Sequence, residues 1–157
     1  SEAKFEIGLI RNHYVGRTFI CPSQAIRDFS VKLKFNTIKG VLEGRKVVIV
    51  DDSIVRGTTL KKLVSMIKKA NPKEIHIRIS SPPVKYPCYY GMDFPSEEEL
   101  IANQKGLEEI RRHLDVDSLE YLSVKGLLDS TQMAKDNFCT ACFTNNYVED
   151  RKEEESL

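Results

Sequence analysis

The sequence predicts an α/β fold, a parallel sheet flanked by helices, and three neighbouring patterns predict it. Val47, Val48, Ile49 and Val50 form an unbroken β-branched run. Such a run suits a strand buried on both faces, as in a parallel sheet. Leu60, Leu63, Val64 and Ile67 then recur at the spacing of one helix face. Ile75, Ile77 and Ile79 follow in strict alternation, the period of a second strand. Two strands joined by a crossover helix run parallel, because a short hairpin cannot join parallel strands.

The elements are bounded by local signals. The helix begins near Thr59, carries Lys61, Lys62, Lys68 and Lys69 on its other face, and is stopped by Asn71 and Pro72. Pro82 and Pro83 end the second strand. Upstream, GRTFI at 16–20 reads as a short strand, and residues 22–35 are polar, basic and weakly periodic. Downstream, Ser96 with Glu99 reads as a capping box for a short helix. A further helix is expected over roughly 104–113, a strand at SLEYL (118–122), and a helix from 124 capped by Ser123. Residues 1–143 are read as one domain and 144–157, which include the charged run EDRKEEES, as a tail.

Bulk properties narrow the class of function. The 157 residues are 41% hydrophobic and 30% charged, and the net charge is +1. That balance is ordinary for a globular domain and points to no nucleic-acid or membrane partner. No apolar run approaches the roughly 20 residues needed to span a bilayer. The first residues lack the apolar core of a signal peptide. A cytoplasmic, reducing setting is therefore expected, with the four cysteines as thiols or metal ligands rather than disulfides.

The chemistry lies at the end of the first strand. Asp51 and Asp52 stand where the strand should stop, at the edge of a parallel sheet where ligands bind. Carboxylates there suit vicinal hydroxyls or a hard cation. Residues Ser53, Ile54, Val55, Arg56, Gly57, Thr58 and Thr59 then form a polar loop leading into the helix. Its amides and hydroxyls make a phosphate cradle at a helix N-terminus. A ribose 5-phosphate satisfies both halves at once. An Asp-Asp pair alone is as readily a turn with an N-cap, but the Gly- and Thr-containing loop after it is more specific. GxxxxGK[ST] and GxGxxG are both absent.

Cys139 and Cys142 form a C-x-x-C pair in CTAC, while Cys88 stands in KYPCYYG and Cys21 in FICPS. The pair alone is open to several readings: a zinc knuckle, one corner of a cluster, or two small buried hydrophobes.

VVIVDDSIVRGTT (47–59) resembles the phosphoribosyl-diphosphate (PRPP) binding motif of type I phosphoribosyltransferases. LIRNHYVGRTFI (9–20), SSPPVKYPCYYGMDFPS (80–96) and DSLEYLSVKGLL (117–128) are similar to segments of amidophosphoribosyltransferases. The resemblance implies a type I phosphoribosyltransferase-like sheet, truncated on its N-terminal side. It implies ribosyl transfer to ammonia, with release of pyrophosphate, as the first step of de novo purine synthesis. It places Asp51 and Asp52 on the ribose hydroxyls and on Mg²⁺, and residues 53–59 on the 5-phosphate. A mobile active-site loop falls at about 11–35, with Arg17, Lys32 and Lys34 set to meet the pyrophosphate. Cys88, Cys139 and Cys142 fall where three of four [4Fe–4S] ligands lie; the fourth precedes this chain, and Cys21 has no counterpart. The three cysteines are expected to converge, with Cys21 apart. The family further implies an upstream glutaminase domain that supplies ammonia from glutamine, purine nucleotides as feedback inhibitors, and a homo-oligomer. A PRPP-binding regulator without catalysis and a salvage phosphoribosyltransferase are the alternatives. The first would lack the mobile-loop and cysteine segments, and the second would need a base-binding hood.

Overall fold

The computed structural model describes residues 4–11, 35–92 and 96–147. Arg17, Lys32, Lys34 and Cys21 lie outside the described residues, as do the strand expected at 16–20, nearly all of the expected mobile loop, and the tail from 148.

The centre is a three-stranded parallel sheet in the order β3 (Lys46–Asp51), β4 (Glu74–Ile79), β5 (Ser118–Tyr121). A separate antiparallel pair, β1 (Leu9–Arg11) and β2 (Phe35–Thr37), leads into a single helical turn, α1 (Lys39–Leu42). The crossover helix α2 (Thr58–Lys68) joins β3 to β4. A 3₁₀ turn (Glu97–Glu99), α3 (Ile101–Gln104) and α4 (Leu107–Leu114) lead to β5. After β5 come α5 (Val124–Ser130), a 3₁₀ turn (Lys135–Asn137) and α6 (Ala141–Thr144).

Register decides which side chains meet. Val47 pairs with Ile75 and Ile49 with Ile77, which in turn lies beside Leu119. These odd-numbered residues share one face with Leu60, Val64 and Ile67 of α2 and Ile110 and Leu114 of α4 in a single core. Ile77, on the central strand, is fully buried. Removing an isoleucine side chain from water stabilises the fold by about 1.5–3 kcal/mol.

The opposite face corrects one expectation. Val48 is 55% and Val50 71% exposed, so β3 is not buried on both faces. The helices pack on the odd-numbered side, and β3 is the edge strand of the three-stranded sheet. Beside the two valines this face is polar. His76 bridges Ser118 Oγ (2.9 Å) and Glu74 Oε2 (3.1 Å), and Arg78 donates to Ser118 Oγ at 2.9 Å.

Two helix boundaries also differ from expectation. The helix expected at 104–113 is two pieces, Ile101–Gln104 and Leu107–Leu114, broken at Lys105 and Gly106. The break is held by Glu109, whose carboxylate accepts the Gly106 N–H at 2.8 Å. The capping box of Ser96 with Glu99 does not form: the Ser96 side chain caps nothing, and the Glu99 carboxylate is taken by Arg56. The Ser123 cap does form, accepting the Gly126 N–H at 3.0 Å.

Ile77→Ala should lower the unfolding free energy by about 2–5 kcal/mol, because the centre of the sheet cannot collapse around the void. Val50→Thr, on the open face, should change it by less than about 1 kcal/mol. Urea denaturation of both variants checks this; equal losses would contradict the one-sided core.

Candidate active site

The strand-end carboxylates and the helix N-terminus form one continuous site. Asp51 is the last residue of β3, level with Ile79 and Tyr121 across the sheet. Its carbonyl accepts both the N–H and the hydroxyl of Ser80, each at 3.0 Å, which fixes the strand end. Its carboxylate accepts the Asp52 N–H at 3.1 Å, and the Asp52 carboxylate accepts the Ser53 N–H at 2.8 Å. Burial pushes the Asp51 carboxyl above the usual carboxylate range; the Asp52 N–H pulls it down, and the Asp52 charge adds to the rise. The pair is thus short of positive charge, the condition a cation or sugar hydroxyls relieve.

Residues 53–57 turn the chain from β3 into α2. Ile54 is buried and anchors the turn in the core, while Arg56, Thr58 and Thr59 face outward. Gly57 sits at φ 74°, ψ −10°, the left-handed region open to glycine, and forms the N-cap of α2. A Cβ there would stand 2.9 Å from Ile101 Cδ1. The N-cap residue has no side-chain cap, and the first turn of α2 holds no acidic residue. The first amides of any helix lack an intrahelical acceptor. Here they open beside the exposed Thr58 and Thr59, an arrangement suited to an anion.

Three contacts fasten this loop to the segment before α4. Arg56 reaches Glu99 Oε2 through both Nε (2.8 Å) and Nη2. Ile101 N–H donates to Val55 O at 2.9 Å, and the Ile101 side chain fills the space over Gly57. None of these partners was visible as such in the sequence. Glu99 was drawn to Ser96 by a capping pattern, and Ile101 carries no motif. Tyr121 was also missed: its hydroxyl is sealed without a hydrogen-bond partner among the described residues, and burial pushes its pKa up to about 12.

The segment bearing Cys88 and the one bearing Cys139 and Cys142 touch through their backbones. Lys85 and Tyr86 N–H groups both donate to Cys142 O, at 2.9 and 3.0 Å, and the Tyr147 hydroxyl donates to Pro87 O at 2.8 Å. The segment bearing Cys88 therefore lies against the one bearing Cys139 and Cys142. All three are free thiols. Burial pushes the Cys142 thiol up, and Cys88 and Cys139 push it in the same direction, as neighbouring thiolates do. Among the described residues no three His, Cys, Asp or Glu side chains are grouped to hold a single metal ion.

A parallel sheet with acidic residues and an uncapped, glycine-started helix at its edge defines the class: a phosphoribosyl transferase domain, whose family matches residues 22–81. The chain is similar to part of the length of proteins named amidophosphoribosyltransferases. It is 55% identical over 147 residues to amidophosphoribosyltransferase 1, chloroplastic, of Arabidopsis thaliana, covering 94% of this chain and 26% of that protein. The amidophosphoribosyltransferase of Bacillus subtilis is 50% identical over 147 residues, covering 91% of this chain and 31% of that protein. Among solved structures, one described as the allosteric regulatory enzyme of purine biosynthesis superposes with a TM-score of 0.81 at 46% identity. It covers 98% of this chain and 34% of its own. The glutamine PRPP amidotransferase from B. subtilis complexed with ADP and GMP gives 0.80 at 48% identity, covering 95% of this chain and 34% of its own. The chain thus spans about a quarter to a third of the length of these relatives.

Gly57→Val should destabilise the protein by about 2–4 kcal/mol, since it forces a β-branched residue into the left-handed region and drives Cβ into Ile101. Thermal or urea unfolding measures this; wild-type stability would mean that the turn is not held as described.

Proposed function

We propose that this chain supplies the PRPP-binding part of an amidophosphoribosyltransferase, which transfers the ribosyl 5-phosphate group to ammonia and releases pyrophosphate at the first step of purine synthesis. The observation that carries the reading is the pairing of Asp51 and Asp52 with the uncapped N-terminus of α2 across one left-handed turn at Gly57.

In this reading residues 53–59 hold the 5-phosphate with the loop amides and the hydroxyls of Ser53, Thr58 and Thr59. Asp51 and Asp52 accept hydrogen bonds from the ribose hydroxyls. Two anchors on one ribose fix the position of C1, which lowers the entropic cost of attack. The ammonia lone pair forms the new bond to C1 opposite the leaving group. The C1–O electron pair departs with pyrophosphate, and the ammonium nitrogen loses its proton to solvent. Arg17, Lys32 and Lys34 are the cations assigned to the developing pyrophosphate charge.

The donor sets fit the two cofactors the family implies. Mg²⁺ characteristically takes one or two carboxylates and fills its shell with water and substrate phosphates. The adjacent Asp51 and Asp52 offer two such carboxylates. Bound there, Mg²⁺ would neutralise pyrophosphate as the C1–O bond breaks. Cys88, Cys139 and Cys142 supply three thiols to a [4Fe–4S] cluster whose fourth ligand lies outside this chain. The cluster would crosslink the 139–142 segment to the 85–88 segment. Glutamine-derived ammonia from a further domain, purine nucleotides as inhibitors (a relative's structure holds ADP and GMP) and homo-oligomerisation complete the proposal.

Asp51→Asn in the full-length protein tests the reading with a paired outcome. Mg²⁺-dependent PRPP affinity should fall about 10- to 100-fold, the loss of hydrogen bonds to a charged group. Stability should move the other way. The folded pKa of Asp51 is raised, so its neutral form costs nothing at low pH, and stability falls as pH rises through the folded pKa. Asparagine removes that penalty, so Tm should rise near pH 7 and not near pH 3. Titration calorimetry and thermal melts measure both; unchanged PRPP affinity would overturn the assignment.

A further inference from the structure

Arg56 is the one cationic side chain within the loop of residues 53–59, where a guanidinium could meet a phosphate directly. The structure turns it elsewhere. Its Nε lies 2.8 Å from Glu99 Oε2, with Nη2 on the same oxygen. One residue on each side, the connection continues through backbone and packing. Val55 O accepts the Ile101 N–H at 2.9 Å, and Gly57 lies under the Ile101 side chain. The loop is therefore held from outside, at residues 55–57, by the segment running from Glu99 to Ile101.

This matters because the loop has little to hold it from within. Ile54 is its one buried side chain, and the first turn of α2 is uncapped. An anion cradle made of amides works only when the amides already point inward, since ordering a loop on binding subtracts from affinity. We propose that Glu99 is a positioning residue for this loop: it acts through Arg56 to hold the amides of residues 56–59 in their phosphate-binding arrangement, while the Arg56 guanidinium serves as a strut rather than a phosphate ligand. The proposal rests on the PRPP reading given above.

The rival arrangement uses the same two residues with the opposite sign. If Arg56 left Glu99 to meet the phosphate, Glu99 would compete with substrate, and removing its charge would tighten binding. The strut predicts weakening. Both side chains are about half exposed, 50% and 51%, so the pair contributes little to global stability and the variants should fold.

The test uses the full-length protein with Mg²⁺ and PRPP, read by calorimetry and by steady-state kinetics. Glu99→Gln keeps the shape and removes the charge. PRPP affinity should weaken about three- to tenfold, the scale of a well-oriented surface ion pair, with KM raised and kcat within about twofold. Arg56→Ala should weaken binding by a similar factor, and the double variant by no more than either alone. Exchanging the pair, Arg56→Glu with Glu99→Arg, should recover most of the lost affinity, and Tm should stay within a few degrees throughout. Tighter PRPP binding by Glu99→Gln would overturn the proposal in favour of competition. Loss of affinity in Arg56→Ala with none in Glu99→Gln would overturn it in favour of direct phosphate contact. Wild-type protein that binds no PRPP would remove the underlying reading itself, a result distinct from either.

Discussion

A helix cannot satisfy its own first amides, and in this protein that deficit is placed at the edge of a parallel sheet and left open. Everything around α2 serves to keep it so. The Asp51 carbonyl is pinned by Ser80, which fixes where β3 ends. Gly57 takes the left-handed turn that lets the helix begin without a capping side chain. Ile54 secures the loop below, and the Glu99–Ile101 segment secures it from the side. The first-turn donors of α2 therefore stand one loop away from the Asp51 and Asp52 carboxylates.

The tension within the site has a physical direction. Asp51 is half-buried, next to a second carboxylate, and is held above its ordinary pKa. A protein selected for stability alone would replace it. Hydroxyl donors or a cation beside it would offset that desolvation. Cys142 likewise sits above its ordinary pKa, raised by burial and then by Cys88 and Cys139.

Much of this was legible in the residues, and the failures are instructive. The 3.6 and 2.0 periodicities between Val47 and Ile79 located β3, α2 and β4, and the Asp-Asp pair with Gly57 located the loop, because those signals are local. Val48 and Val50 misled, since a β-branched run reports strand propensity and cannot say how many layers cover it. Glu99 misled because a capping pattern competes with an arginine 43 residues away, a partner that local spacing cannot reveal. Ile101 gave no signal at all: its role is to fill the space that glycine leaves, and steric complementarity is a property of the fold. The placing of the Cys88 segment near the C-x-x-C pair was expected from family resemblance rather than from spacing, which ties only that pair.

The central claim is that the first-turn amides of α2 receive the phosphate of PRPP while Asp51 and Asp52 take the ribose. The most direct measurement is a crystal structure of the full-length protein with Mg²⁺ and a non-hydrolysable PRPP analogue. The account predicts the 5-phosphate oxygens within hydrogen-bonding distance, about 2.7–3.2 Å, of amides between residues 56 and 59, and the ribose hydroxyls on the two carboxylates. An analogue seated elsewhere, with that loop empty or its amides turned away, would contradict it.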